Sequence, residues 1–206
     1  MRSGILEALK DAFPGMPVRI CLMHFLRDLG KYLMEKLHAI PGLMINRKGI
    51  KSPLKSIMKS IPGYDIKTLY EIDNGYCTDH VKMEAMAIRR IIENIIMVNG
   101  SSGYGFPFSL KNLNFFTAAK EAGKRLSDLS GKIIAPESKK LINSVMALIN
   151  RIINDNEIVE TSNKLSDINM LFQKIRSAFR IPEKGKLSDE PADDLSIHSN
   201  CNAVIR

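Results

Sequence analysis

The feature that most constrains the fold of this chain is the recurrence of apolar residues at three- and four-residue steps. Such a stripe covers one face of an α-helix and buries that face against a core. The pattern predicts helices over about residues 4–13, 24–39, 54–61, 78–98, 111–129, 135–154 and 156–179. Pro-Gly pairs at 14–15, 41–42 and 62–63 are expected to end helices, and Thr78 or Asp79 to cap one. We therefore expect a mainly α fold.

The N-terminal region departs from this pattern. From Pro17 to Leu22, apolar residues alternate with other residues, which predicts a short half-buried strand. A C-x2-H pair, Cys21 and His24, lies where this strand would become a helix. We interpret the pair as structural, with the imidazole hydrogen-bonded to nearby backbone and the thiol packed as a small apolar group.

A second C-x2-H pair, Cys77 and His80, also lies at a predicted helix start. Two such pairs would together supply the Cys2His2 ligands of a tetrahedral zinc site. The two pairs are far apart in the sequence, so their spacing imposes no local geometry on a metal. We therefore assign no metal site and keep zinc as the alternative.

The order helix, turn, strand, C-x2-H, helix resembles the segment that follows the second catalytic aspartate of DDE-type transposases. These enzymes belong to the RNase H-like superfamily, and their insertion-sequence and MULE-like branches carry a C/D-x2-H signature that Cys21 and His24 match. Two further stretches, 105–110 and 171–181, resemble parts of the helical insertion of these enzymes. The resemblance covers roughly residues 4–181 and implies a role in DNA transposition.

The resemblance also implies a domain organisation. Residues 1–40 would be a remnant, or edge, of the RNase H-like α/β catalytic core, and residues 41–181 would be the helical insertion region. Residues 182–206 are polar with little apolar periodicity, which predicts a disordered tail.

The reaction of the family requires three carboxylates that hold two divalent metal ions, for which Mg²⁺ is implied. Asp11 falls inside a predicted helix, and Glu157 and Glu160 have no strand partners that would hold a metal ion. We therefore assign no catalytic residue and no cofactor, and expect a truncated transposase fragment that is inactive alone.

The charge of the chain is unevenly distributed. The formal net charge is +8, and residues 182–206 contribute −2, so the preceding body carries +10. A basic run in this body predicts weak, sequence-independent contact with DNA phosphates, although a solvated basic face would have the same composition. Its members are Arg47, Lys48, Lys51, Lys55 and Lys59.

Two other interpretations of the function stay open. The chain would then be a free-standing basic helical nucleic-acid-binding protein, or an interaction protein that regulates full-length transposase by binding it.

The three cysteines are far apart and odd in number, which is typical of a reducing compartment. No apolar run approaches the ~20 residues that a membrane-spanning helix needs. We therefore expect a cytoplasmic location and no membrane partner.

Overall fold

The structure is a computed structural model that describes residues 22–63, 79–98 and 105–179, together with positions 67, 70, 71, 74 and 77. Across these residues six helices have defined ends, and no strand occurs. The helices are α1 (Leu22–Lys48), α2 (Lys51–Ser60), α3 (His80–Met97), α4 (Lys111–Ser130), α5 (Pro136–Ile153) and α6 (Asn156–Ala178). The expectation of a mainly α fold is confirmed.

The last four helices begin and end within about two residues of the predicted limits. Local chemistry explains these ends. The Asp79 side chain accepts a hydrogen bond from the Lys82 backbone N–H and caps α3, and Asp155 caps α6 through the Ile158 N–H. These side chains satisfy N–H groups that have no partner within the helix.

The end predicted for the helix over 24–39 was wrong. Pro41-Gly42 does not terminate α1, which continues to Lys48 with Pro41 buried inside it. A proline inside a helix removes one backbone hydrogen bond and displaces the carbonyls of the preceding turn. The carbonyl that loses its helical donor at Pro41 is that of Leu37, and the adjacent His38 carbonyl accepts a hydrogen bond from the Asn112 side-chain amide of α4 at 2.8 Å.

Gly42 allows the Asn112 side chain to lie close to the backbone of α1. A Cβ atom at this position would overlap the side-chain amide of Asn112. The pair Pro41-Gly42 is therefore a packing site within a helix, and α1 runs without a break through the predicted domain boundary between residues 40 and 41.

The two longest helices, α1 and α6, lie antiparallel. Phe25 at the start of α1 contacts Phe179 just beyond α6, with ring centroids 6.0 Å apart. At the other end, Lys48 of α1 forms an ion pair with Asp155 before α6. Leu26, Met34 and Phe172 pack between the two helices and are fully buried.

A larger core lies among α2, α3, α4 and α5. Its buried side chains are mainly isoleucine and leucine, with Phe115 and Phe116 from α4. Leu54 places α2 in this core with no exposed surface. The burial of apolar area in the two cores is the main term that stabilises the bundle.

Some predictions fall on residues that the structure does not describe. These are the helix over 4–13, the strand up to Cys21 and the polar tail over 182–206. Leu22 was predicted as the last strand residue and is instead the first residue of α1. None of the described helices is long and apolar enough to cross a membrane.

Candidate nucleic-acid interface

Helix α2 has one buried face and one polar face. Leu54 and Ile61 are buried in the core, whereas the polar side repeats a Lys-Ser pair every four residues. Four residues advance an α-helix by about one turn, so residues at this spacing lie on neighbouring positions of one face. The pairs are Lys51-Ser52, Lys55-Ser56 and Lys59-Ser60.

The sequence segment that contains α2 has basic residues but no acidic ones. No Asp or Glu occurs between Glu35 and Asp65 in the sequence. Lys55 and Lys59 are exposed, and Arg47 is exposed in the last turn of α1. We call Arg47, Lys51, Lys55 and Lys59 the basic strip.

Lys51 is held differently from the other two α2 lysines. Its Nζ lies 5.0 Å from the centroid of the buried Phe115 ring, a cation–π distance. Lys51 therefore covers the edge of the core, and its ammonium group is less available to an external anion than that of Lys55 or Lys59.

Lys48 belongs to the fold rather than to the strip. Its Nζ lies 2.6 Å from Asp155 Oδ2, and this hydrogen bond is the main reason that the pKa of Asp155 lies below its ordinary value. The same carboxylate caps α6, so the ion pair joins the end of α1 to the start of α6. We therefore leave Lys48 out of the candidate interface.

The turn between α1 and α2 sets the direction of the strip. Gly49 adopts a φ of +61°, a conformation that glycine reaches without steric cost, and its N–H donates to the Asn46 carbonyl. The first turn of α2 contains no acidic residue, and Ile50 provides no side-chain cap. The positive end of the helix dipole therefore lies beside Lys51 and adds to the positive potential.

Arg89 of α3 holds the other end of α2. Its Nη1 donates to the Met58 carbonyl at 3.1 Å and to the Ile61 carbonyl, while its Nε donates to Glu93 at 2.8 Å. The guanidinium thus satisfies carbonyl groups that the helix end leaves without intrahelical partners. Sequence reasoning missed this residue, because 28 and 31 positions separate it from its two carbonyl partners.

His38 does not extend the basic strip. The ring is half-buried and its centroid lies 5.0 Å from that of Phe106. Burial, followed by the positive charge of Lys111, lowers the pKa of His38. The imidazole therefore stays neutral at neutral pH and adds no charge to the surface.

The structure describes three of the four residues in the two C-x2-H pairs, namely His24, Cys77 and His80. His24 is exposed on α1, and the backbone beside it up to Cys21 lies outside the described residues, so the hydrogen bond expected from its ring stays a prediction. His80 is exposed at the start of α3, and the Cys77 thiol faces the Asp79 carbonyl at 3.9 Å. Cys21 lies outside the described residues, so zinc stays an alternative. Stoichiometric zinc in the purified chain, lost on mutating His24 or His80, would establish it.

The structure also shows where the two late glutamates lie. Glu157 is in the first turn of α6, and Glu160 pairs with Lys164 at 2.6 Å one turn further on. In the part of the chain that the structure describes, no group of three His, Cys, Asp or Glu side chains is placed to hold a metal ion. We derive no catalytic step through Mg²⁺ from these residues.

Comparison of the chain with protein-family models, with curated proteins and with solved structures finds no match.

Proposed function

We propose that this chain binds DNA through the phosphate backbone, without sequence preference, and that the polar face of α2 makes the contact. One observation carries the proposal: three lysines recur at four-residue intervals along α2, and two of them, Lys55 and Lys59, are exposed on its polar face. Lysine side chains bind phosphates as point charges and release condensed counterions, which makes binding favourable and dependent on salt.

The length of the strip limits the number of phosphates that it reaches. From Lys51 to Lys59 the helix advances by eight residues, or about 12 Å. Phosphates of one DNA strand are about 3.4 Å apart along the duplex axis, so the strip reaches roughly three or four of them. Because α2 has three lysines and Lys51 lies over the Phe115 ring, we expect α2 to bind about two or three of these phosphates, and expect the overall binding to be weak.

The buried face of α2 favours nucleic acid over a membrane surface. A helix that lies in a lipid interface needs its apolar face free to enter the acyl region. Leu54 has no exposed surface and Ile61 only 5%, because both pack in the core. The α2 part of the strip therefore offers charge, while the apolar face of α2 is not free to anchor in lipid.

The experiment measures binding of a short labelled duplex by fluorescence anisotropy between roughly 50 and 200 mM salt. We expect the triple variant Lys51→Gln, Lys55→Gln and Lys59→Gln to bind more weakly. The slope of log affinity against log salt should become shallower by about 0.9 for each phosphate that the variant no longer neutralises.

The matched control replaces Lys120, Lys124 and Lys174, three exposed lysines on α4 and α6, by glutamine. This variant has the same net charge as the triple α2 variant and should keep most of the affinity and slope. Equal weakening in both variants, or no binding by the wild type at low salt, would contradict the proposal. Binding to anionic vesicles but not to DNA would assign the strip to a membrane surface instead.

We further propose that this DNA-binding chain is part of a DDE-type transposase, with an RNase H-like edge near its N-terminus and no catalytic activity of its own. The match of Cys21 and His24 to the C/D-x2-H signature supports this origin, and the helical character of the described residues is compatible with an insertion region. A free-standing DNA-binding protein, or one that binds and regulates full-length transposase, is the alternative.

The proposed inactivity is tested by incubating the chain with terminal-inverted-repeat DNA and Mg²⁺ or Mn²⁺. We expect no strand nicking. Nicking at the 3′ ends that disappears in Glu157→Gln or Glu160→Gln would show that the chain holds a catalytic site and would overturn the proposal.

A further inference from the structure

We infer that Ser52 and Ser56 are phosphate ligands that act together with Lys55 and Lys59, an inference that rests on the proposed DNA binding. Side chains three residues apart on a helix are neighbours, with Cβ atoms about 5–6 Å apart. Ser52 therefore lies beside Lys55, and Ser56 lies beside Lys59, which makes two successive Ser/Lys pairs on the polar face of α2. Each pair offers one neutral and one charged donor to a single phosphate.

The hydroxyl groups of these two serines form no hydrogen bond within the part of the fold that the structure describes. Three other exposed helical serines donate to a carbonyl of their own helix: Ser60 to Ile57 at 2.8 Å, Ser130 to Ser127 at 3.1 Å and Ser144 to Lys140 at 3.0 Å. Ser52 and Ser56 are exposed and form no such side-chain bond with any described residue. Their hydroxyl donors thus remain available to a ligand.

A serine followed three residues later by a lysine occurs twice in α2 and not a third time. Ser60 has Gly63 at the corresponding position, and its hydroxyl already donates to Ile57. Lys51 has no serine three residues before it and lies over the Phe115 ring. The two pairs are one helical turn, or about 6 Å, apart along α2. They suit two nearby phosphates of one continuous strand.

The serines and the lysines should leave different signatures in a salt titration. A lysine that binds a phosphate releases counterions, and its replacement by a neutral residue reduces the salt slope. A serine hydroxyl donates a hydrogen bond to the same oxygen atoms but carries no charge. Removing a serine hydroxyl should therefore lower the affinity by a similar factor at every salt concentration and leave the slope unchanged.

The test compares three variants of the full chain in the same anisotropy titration. Ser52→Ala with Ser56→Ala should weaken binding by roughly threefold to tenfold for each serine with no change in slope. Ser60→Ala is the matched control and should bind like the wild type. Lys55→Gln with Lys59→Gln should reduce both affinity and slope.

Alanine is a better helix former than serine, so weaker binding by the double serine variant would not reflect unfolding of α2. Far-ultraviolet circular dichroism should confirm unchanged helix content. If the lysine variant weakens binding and the double serine variant does not, the serine inference fails and the DNA-binding proposal stands. If neither variant weakens binding, both fail. A changed slope in the double serine variant, or equal weakening by Ser60→Ala, would also overturn the serine inference.

Discussion

Replacing Arg89 by methionine should destabilise this protein through the end of α2. The side chain is 18% exposed and donates to two α2 carbonyls, Met58 and Ile61, as well as to Glu93. Methionine keeps a similar length and helix propensity but has no donor. The carbonyls of Met58 and Ile61 and the Glu93 carboxylate would all lose their charged partner.

The expected magnitude follows from these hydrogen bonds. Hydrogen bonds from a charged group contribute about 1.5–3 kcal/mol each when buried, and partial exposure lowers that figure. We expect the free energy of unfolding to fall by about 2–3 kcal/mol in total. For a chain of this size the melting temperature should then fall by roughly 5–10 °C.

The assay is urea unfolding followed by circular dichroism, since the chain contains no tryptophan. Arg90 provides the control, because this neighbouring residue of α3 is exposed and Arg90→Met removes the same charge. The control should change the free energy of unfolding by less than about 0.5 kcal/mol. If the Arg89 and Arg90 variants are equally stable, Arg89 does not hold α2 and the reasoning is wrong.

Two further predictions concern the packing of α1. Gly42→Ala would stabilise an ordinary helix, but here it should lower the free energy of unfolding by about 1–2 kcal/mol because the new Cβ displaces Asn112. The control, Gly63→Ala, places its Cβ in open space and should be neutral. A Gly42→Ala variant more stable than the wild type would contradict the packing argument. Asp155→Ala should cost about 1–2 kcal/mol near pH 7, because it removes the α6 cap and the Lys48 pair. Because the pKa of Asp155 is depressed in the folded state, its stabilisation is present above the ordinary value of about 3.9 and is lost as the pH falls through the depressed value. Chemical unfolding of the wild type and of the Asp155→Ala variant across this pH range should show that their difference in the free energy of unfolding shrinks in acid. A difference that does not change with pH would exclude the ionised carboxylate as its source.

The sequence alone determined most of the helical architecture. Apolar periodicity located α3 to α6, and one of the two residues predicted to cap α3, Asp79, does so, because such a cap depends on a hydrogen bond between residues three apart. The basic run was also visible in the sequence, since charge density requires no knowledge of packing. The helix positions and the basic run depend only on residues that lie within one or two helical turns of each other in the sequence.

Tertiary structure decided what depends on partners distant in the chain. Helix α1 continues through Pro41, and the His38 carbonyl one turn before it accepts a hydrogen bond from Asn112, 74 residues further along the chain. Lys48 and Lys55 look equivalent in the sequence, yet Asp155 pairs with the first, while the second is exposed on α2. A periodic pattern specifies which face of a helix is buried, but only the packing of all the helices determines which charges meet a partner and which remain available to bind a ligand.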